Sequence, residues 1–234
     1  MRRYSAILFD LDNTLFDYDT ASANALGNAL MSEGLTGDFS AIYSDYHSIN
    51  MALWEQLEAD EIDLDTLQIR RFEQLGELYH WRGINWAGMS DRYLDYLSRE
   101  AVLYADTRST LATLFQEYRL GVLTNGIEPV QRERMARSGL ETYFSAFVIS
   151  SVHGIAKPDP RIFRIALETM DVPARETLYV GDSISSDMAG AAAAGIDFCW
   201  INPHRQSPPS GAFFRYEIGQ LRELTAILIS ENRK

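Results

Sequence analysis

Five short, continuously apolar runs constrain this chain more than any other feature: residues 6–9, 120–123, 147–149, 178–180 and 198–201, rich in Ile, Leu, Val and Phe. Each is too short for a helix and does not alternate with polar residues. Strands read that way when helices cover both faces of their sheet, as in parallel sheets. From Tyr118 onward the runs alternate with helical patterns whose ends are marked. Asp159-Pro160 sets a capping side chain before a proline at the first helical position, ahead of the amphipathic Ile162-Phe163-Ile165-Ala166-Leu167. Gly195 closes the stretch 187–194 as a C-terminal stop. This alternation predicts an α/β fold with a doubly wound parallel sheet.

The interval 18–102 breaks the pattern. It has no clear strand run, and its apolar residues recur at helical spacing in Ala21-Ala25-Leu26-Ala29-Leu30, Leu67-Arg71-Leu75-Leu78 and Tyr93-Leu94-Leu97. The expected organisation is an α/β core domain of residues 1–17 and 103–234, with a helical cap domain of residues 18–102 inserted after the first strand. An insertion at that point is expected over the carboxyl ends of the strands, where open α/β sheets bind ligands, and is a candidate lid. Residues 202–211, with three prolines and two serines, read as a surface loop.

Charge and cysteine usage narrow the partners. A formal net charge of −12 opposes binding to nucleic acid or anionic membranes, so an anionic substrate must be held by local groups. The apolar run behind Arg2-Arg3 is broken by Asp10 and Asp12, too soon for a signal-peptide core, and no stretch reaches a membrane span. The single cysteine, Cys199, lies in the last apolar run and reads as a buried thiol rather than a nucleophile. These features fit a cytoplasmic protein, a monomer or small homo-oligomer. His47, His80, His153 and His204 show no metal-ligand spacing.

The chemistry-bearing residues gather at strand ends. Asp10 and Asp12 close the first strand in Phe9-Asp10-Leu11-Asp12-Asn13-Thr14; two carboxylates at that spacing can face one mouth of the sheet, though an Asp- and Asn-rich turn reads the same way. Thr124-Asn125-Gly126 after the second strand offers a hydroxyl and amides of the kind that cup phosphoryl oxygens, or a commonplace turn. Lys157 precedes a helix start after the third strand, where a solvated lysine is the ordinary alternative. Gly181-Asp182-Ser183 and Asp187 follow the fourth, where an acid also serves as a helix cap. Singly each is weak; in succession they make a site in which carboxylates collect a hard Mg2+ and lysine and amides neutralise phosphoryl charge.

At Asp10-Leu11-Asp12-Asn13-Thr14, Thr124, Lys157 and Gly181-Asp182 through Asp187 the chain resembles the haloacid dehalogenase superfamily of phosphohydrolases, over nearly its whole length. The resemblance implies that Asp10 is the nucleophile of an aspartyl-phosphate mechanism and that Asp12 protonates the leaving oxygen and then activates water. It implies that Thr124 and Asn125 bind the phosphoryl group, that Lys157 bridges it to Asp10, and that Asp10, the Asp12 carbonyl and Asp182 hold Mg2+. Asp187 would orient Lys157 or a water on the metal. For Asp12 to act first as an acid, nearby negative charges are expected to raise its pKa. Leu15-Phe16-Asp17-Tyr18-Asp19 and Cys199-Trp200-Ile201-Asn202-Pro203-His204 look like the pyrimidine 5′-nucleotidase branch, which implies a nucleoside monophosphate as the small-molecule phosphate ester. Tyr43, Trp54, Trp81 and Trp86 of the cap could stack on a base, although aromatic residues at helical spacing are more often core.

Three other readings share parts of this set. A sugar-phosphate or phosphoglycolate phosphatase, or a phosphomutase, would keep every core residue and differ in the cap. A haloacid dehalogenase needs no second acid, because halide leaves unprotonated, and Asp12 argues against it. A phosphate-receiving signalling domain needs neither a cap nor acids after the fourth strand.

Overall fold

The computed structural model describes residues 3–232. Six strands among them form one parallel sheet in the order β3-β2-β1-β4-β5-β6, with β1 Ala6–Phe9, β2 Arg119–Thr124, β3 Ala146–Ile149, β4 Thr177–Gly181, β5 Asp197–Ile201 and β6 Tyr216–Ile218. The chain leaves β1 for one side of the sheet and crosses to the other at β4, so β1 and β4 flank the point where the winding reverses. Ligands of open α/β sheets bind beyond the strand ends at such a point. The sheet is doubly wound and parallel, with one strand more than the apolar runs indicate. In β6 the sequence is Tyr-Glu-Ile, and only Ile218 is fully buried. An edge strand with one neighbour does not need the apolar run that marks a central one.

Both faces of the sheet are covered, and the period-2 alternation of side chains assigns each residue to one of them. Ile7 and Phe9 of β1 join Val122, Val180 and Cys199 beneath helices α5 (Thr107–Leu114), α6 (Glu128–Ser138) and α10 (Arg222–Asn232). Ala6 and Leu8 join Val148, Tyr179 and Trp200 beneath α8 (Pro160–Met170) and α9 (Ala189–Ala193). Helix α7 (Ser150–His153) follows β3 directly. The Asp159 side chain caps α8 by accepting from the Arg161 N–H at 2.8 Å, and Pro160 opens it. Ile162, Phe163, Ala166, Leu167 and Met170 form its buried stripe. Phe163 meets Tyr179 edge-on, with centroids 5.1 Å apart, and truncating it to Ala costs about 3–5 kcal/mol through lost transfer energy and a cavity.

The described chain divides into two compact units, one reaching Tyr18 and resuming at Ala101, the other Asp19–Glu100. The second contains α1 (Tyr18–Ser32, but for its first residue), α2 (Phe39–Glu58), α3 (Leu64–Leu78) and α4 (Trp86–Arg99). Side chains of Asp38, Asp63 and Asn85 accept from the N–H groups of Ser40, Thr66 and Gly88, capping α2, α3 and α4. Its interior packs Tyr46, Phe72 and Tyr93, with the buried Arg71 guanidinium 4.5 Å from the Tyr93 centroid. The Tyr43 hydroxyl donates to the Asp19 carbonyl, Trp81 stacks on Tyr79, and Trp86 lies against Gly76, leaving no room there for a Cβ. No helix among the described residues is long and apolar enough to cross a membrane.

Candidate active site

Sheet register brings the strand ends level. Phe9 pairs with Val122 on one side and Val180 on the other, so the residues just beyond these strands share one mouth. Asp10 remains tied to β4 through its N–H, which donates to the Val180 carbonyl at 2.8 Å. The chain then tightens: Leu15 and Phe16 donate back to the Leu11 carbonyl, and Asn13 takes a left-handed conformation with φ 56°. Asn tolerates that region because its short amide bonds locally; here the side chain accepts from the Tyr18 N–H at 3.2 Å.

Lys157 lies at the centre. Its ammonium donates to Asp10 Oδ1 at 2.5 Å, to Asp187 Oδ1 at 2.6 Å and to the Tyr179 hydroxyl at 3.1 Å, and the residue is 3% exposed. Asn125 anchors its backbone reciprocally: the Asn125 amide donates to the Lys157 carbonyl at 3.0 Å, and the Lys157 N–H donates to Asn125 Oδ1 at 2.8 Å. Asp187 comes from a π-type turn, Ile184–Met188, whose wider winding sets the carboxylate against both Lys157 and the Ser183 N–H, the latter at 3.1 Å. Gly181 is required at its position, because a Cβ there would overlap the Asp187 carboxylate.

Carboxylates outnumber cations in this cluster. Asp10, Asp182 and Asp187 each bring one oxygen to within 4.8 Å of the others, beside the single Lys157 ammonium. Burial pushes the Asp10 carboxyl up to about 7, against the pull of Lys157 and with Asp187 adding repulsion. Burial and the neighbouring Asp187 and Asp10 hold Asp182 well above the usual carboxylate range. Burial alone would lower the Lys157 pKa, but Asp10 and Asp187 outweigh it and keep the group above an ordinary lysine. Buried hard oxygens in excess of their counter-charge form a donor set suited to a divalent cation. Asp187 also accepts from Lys157, Tyr179 and the Ser183 N–H, and Asp10 from Lys157, so the three carboxylates that could hold an ion differ in how far they are already engaged.

Asp12 is held differently from these three. Its Oδ1 accepts from Arg134 Nη1 at 2.5 Å and its Oδ2 from Gln131 Nε2 at 2.7 Å, partners the sequence does not indicate, while Asp10 remains a negative neighbour. The reason is tertiary: α6 runs beneath the loop after β1 and turns its polar edge toward it. Thr124 joins the same network, its hydroxyl 3.3 Å from Gln131 Nε2 and accepting from the Gly126 N–H at 3.2 Å.

Three supporting side chains carry no signal in the linear sequence. Tyr179 is in the middle of an apolar strand, yet its hydroxyl lies 3.0 Å from Asp187 Oδ1 and 3.2 Å from the Leu123 carbonyl. Gln131 and Arg134 fall in the charged stretch Glu128-Pro129-Val130-Gln131-Arg132-Glu133-Arg134, which reads as solvated helix surface. Trp200 belongs to the Cys199-Trp200-Ile201 run noted above, and the structure shows its indole N–H donating to the Asp182 carbonyl at 2.9 Å, bracing the loop after β4.

A doubly wound sheet whose switch point gathers acids, a buried lysine and a hydroxyl-amide turn defines a phosphate-handling α/β enzyme of the hydrolase type. Residues 4–195 match the family model for haloacid dehalogenase-like hydrolases, and this chain belongs to that family. It is 34% identical to the pyrimidine 5′-nucleotidase PynA of Streptococcus pneumoniae, with 94% of this chain and 93% of that one covered. It is 31% identical to the pyrimidine 5′-nucleotidase YjjG of Escherichia coli, covering 97% and 98%. Among solved structures, the HAD-hydrolase YfnB of Bacillus subtilis bound to magnesium superposes with a TM-score of 0.90 at 30% identity, covering 97% of this chain and 99% of that one.

Proposed function

We propose that this chain hydrolyses a phosphate monoester in two transfers, with Asp10 as nucleophile, and that a pyrimidine nucleoside 5′-monophosphate is its substrate. The observation that carries the reaction is the buried Lys157 ammonium held between Asp10 and Asp187 at the switch point. That arrangement keeps the Asp10 carboxylate oriented and supplies positive charge where phosphoryl oxygens gather. Mg2+, held by the Asp10 and Asp182 carboxylates and the Asp12 carbonyl, would neutralise phosphoryl charge when bound.

In the first transfer an Asp10 oxygen forms a bond to phosphorus while the ester P–O bond breaks, and Asp12 gives a proton to the departing oxygen. Thr124 and the amides of its turn hold the phosphoryl oxygens. In the second, water attacks phosphorus as Asp12 takes its proton, and the bond to Asp10 breaks to release phosphate. Asp187 keeps Lys157 charged and in place throughout.

The nucleotide assignment is supported by the two pyrimidine 5′-nucleotidases described above. The test is kcat/KM for UMP, dTMP, AMP, β-glucose 1-phosphate and phosphoglycolate under one condition with Mg2+. UMP or dTMP should lead. A sugar phosphate or phosphoglycolate ahead by tenfold, about 1.4 kcal/mol of transition-state discrimination, refutes the nucleotide assignment while leaving the chemistry standing.

A further inference from the structure

We propose that Gln131 and Arg134 of α6 are positioning residues that aim the Asp12 carboxylate and lock it in register with Thr124. The proposal rests on the reading of Asp12 as proton donor and acceptor. Both Asp12 oxygens are engaged from the same helix, Oδ1 by Arg134 Nη1 and Oδ2 by Gln131 Nε2. The two donors are also bound to each other, Arg134 Nη1 donating to Gln131 Oε1 at 3.0 Å. A carboxylate gripped at both oxygens cannot rotate about its side-chain bonds, so its direction is set before an ester arrives.

The grip itself is rigid. Arg134 is 0% exposed and Gln131 2%, whereas the Asp12 side chain keeps 28% of its surface open. Sealing a guanidinium inside a fold is unfavourable unless its partners compensate it, and the carboxylate it meets is the one assigned to proton transfer. The Arg134 guanidinium also lies 4.6 Å over the Phe16 ring, and the Phe16 carbonyl accepts from Asn13, so Arg134 braces the loop that carries Asp12. Gln131 reaches Thr124 Oγ1 with the amide nitrogen that holds Asp12. One amide nitrogen therefore sets Asp12 in register with the Thr124 hydroxyl, which is held independently by the Gly126 N–H at 3.2 Å. Gly126 accommodates this: a Cβ at that position would overlap the Gln131 amide.

The test separates aim from stability by leaving group. Wild-type enzyme, Arg134→Met and Gln131→Met are assayed with Mg2+ on p-nitrophenyl phosphate, whose phenolate departs without a proton, and on two alkyl esters, UMP and phosphoglycolate, whose oxygen requires one. Misaiming Asp12 should lower kcat/KM for the alkyl esters by at least about tenfold and for the aryl ester by less than about threefold, because only the alkyl transfer needs the acid. The second transfer needs Asp12 for every substrate, so both variants should release a burst of nitrophenol near one equivalent and then turn over slowly. Arg134→Lys, which restores one charged donor, should recover part of the alkyl activity. Equal losses on aryl and alkyl esters, or no loss on either, overturn the proposal. Melting curves report folding, and if Arg134→Met does not fold, the Gln131→Met comparison decides by the same two outcomes. Wild-type enzyme that cleaves neither kind of ester would overturn the phosphatase reading and this one together; wild-type cleavage with equal losses overturns this one alone.

Discussion

Replacing Lys157 with Met removes the one cation from a buried cluster of three carboxylates, and the consequence can be worked from the geometry. Methionine preserves most of the side-chain volume, so the change is electrostatic more than steric. Breaking a buried ion pair by deleting one partner costs about 3–5 kcal/mol, because the remaining charges stay desolvated without compensation. At about 2–4 °C per kcal/mol for a chain of this size, the melting temperature of the α/β unit should fall by roughly 6–20 °C at pH 8. The loss must depend on pH with a definite sign. Burial holds Asp10 at about 7 even with Lys157 beside it, so the folded chain keeps that proton longer than the unfolded chain does. A carboxyl raised in this way contributes stability that is complete below its ordinary pKa and lost as pH rises through the folded value. Without Lys157 the folded value rises further, so the gap between wild type and variant should widen from pH 5 to pH 8. Chelator-treated proteins are melted by circular dichroism at both pH values, and Mg2+ is then added at pH 8. The ion binds the folded carboxylates and should return part of the lost stability. A difference below about 1 kcal/mol at pH 8, or one of equal size at both pH values, would refute the account of Lys157 as the counter-charge of this cluster.

The other expectations concern activity. Asp10→Asn should lower phosphate release by at least about a thousandfold while the far-ultraviolet dichroism is unchanged, since the amide is nearly isosteric but cannot attack phosphorus. Asp12→Asn should still accept labelled phosphate and fail to release it, and equal labelling in the two variants would contradict their assigned roles. Activity should vanish in excess EDTA and return with Mg2+, and Asp182→Ala should raise the Mg2+ concentration needed for half-maximal rate; an unchanged titration would move the ligand elsewhere. Gly181→Ala should displace the Asp187 carboxylate from Lys157, costing about 1–3 kcal/mol in stability and reducing kcat, as read from a urea melt and steady-state kinetics.

Much of this was written in the chain order. The apolar runs at 6–9 and 178–180 state that these strands are buried on both faces, because a strand with a wet face would have alternated. Asp159-Pro160 marks the start of α8 through side-chain and ring chemistry that needs no distant partner. The acids at 10, 12, 182 and 187, with Thr124 and Lys157, could be placed at one mouth because parallel strands all end on the same side. These features depend on neighbours within a few residues, or on a topology that handedness and connection rules restrict.

What the tertiary structure decided is how those groups are held. Asp12 meets Gln131 and Arg134, residues 119 and 122 positions away, because register between β1 and β2 fixes where α6 begins and helical phase then turns its polar edge toward the loop. Nothing in a charged helical segment distinguishes a solvated arginine from one sealed beneath a carboxylate. Tyr179 reads as an apolar strand residue until the packing of β4 brings its hydroxyl to Lys157 and Asp187. Strand β6, three residues long and half polar, exists only because β5 offers an edge to pair with. Local pattern determines which segments become strands and helices; the direction and neighbours of a buried polar side chain follow from sheet register and helix rotation, which are set by the packing of the whole core.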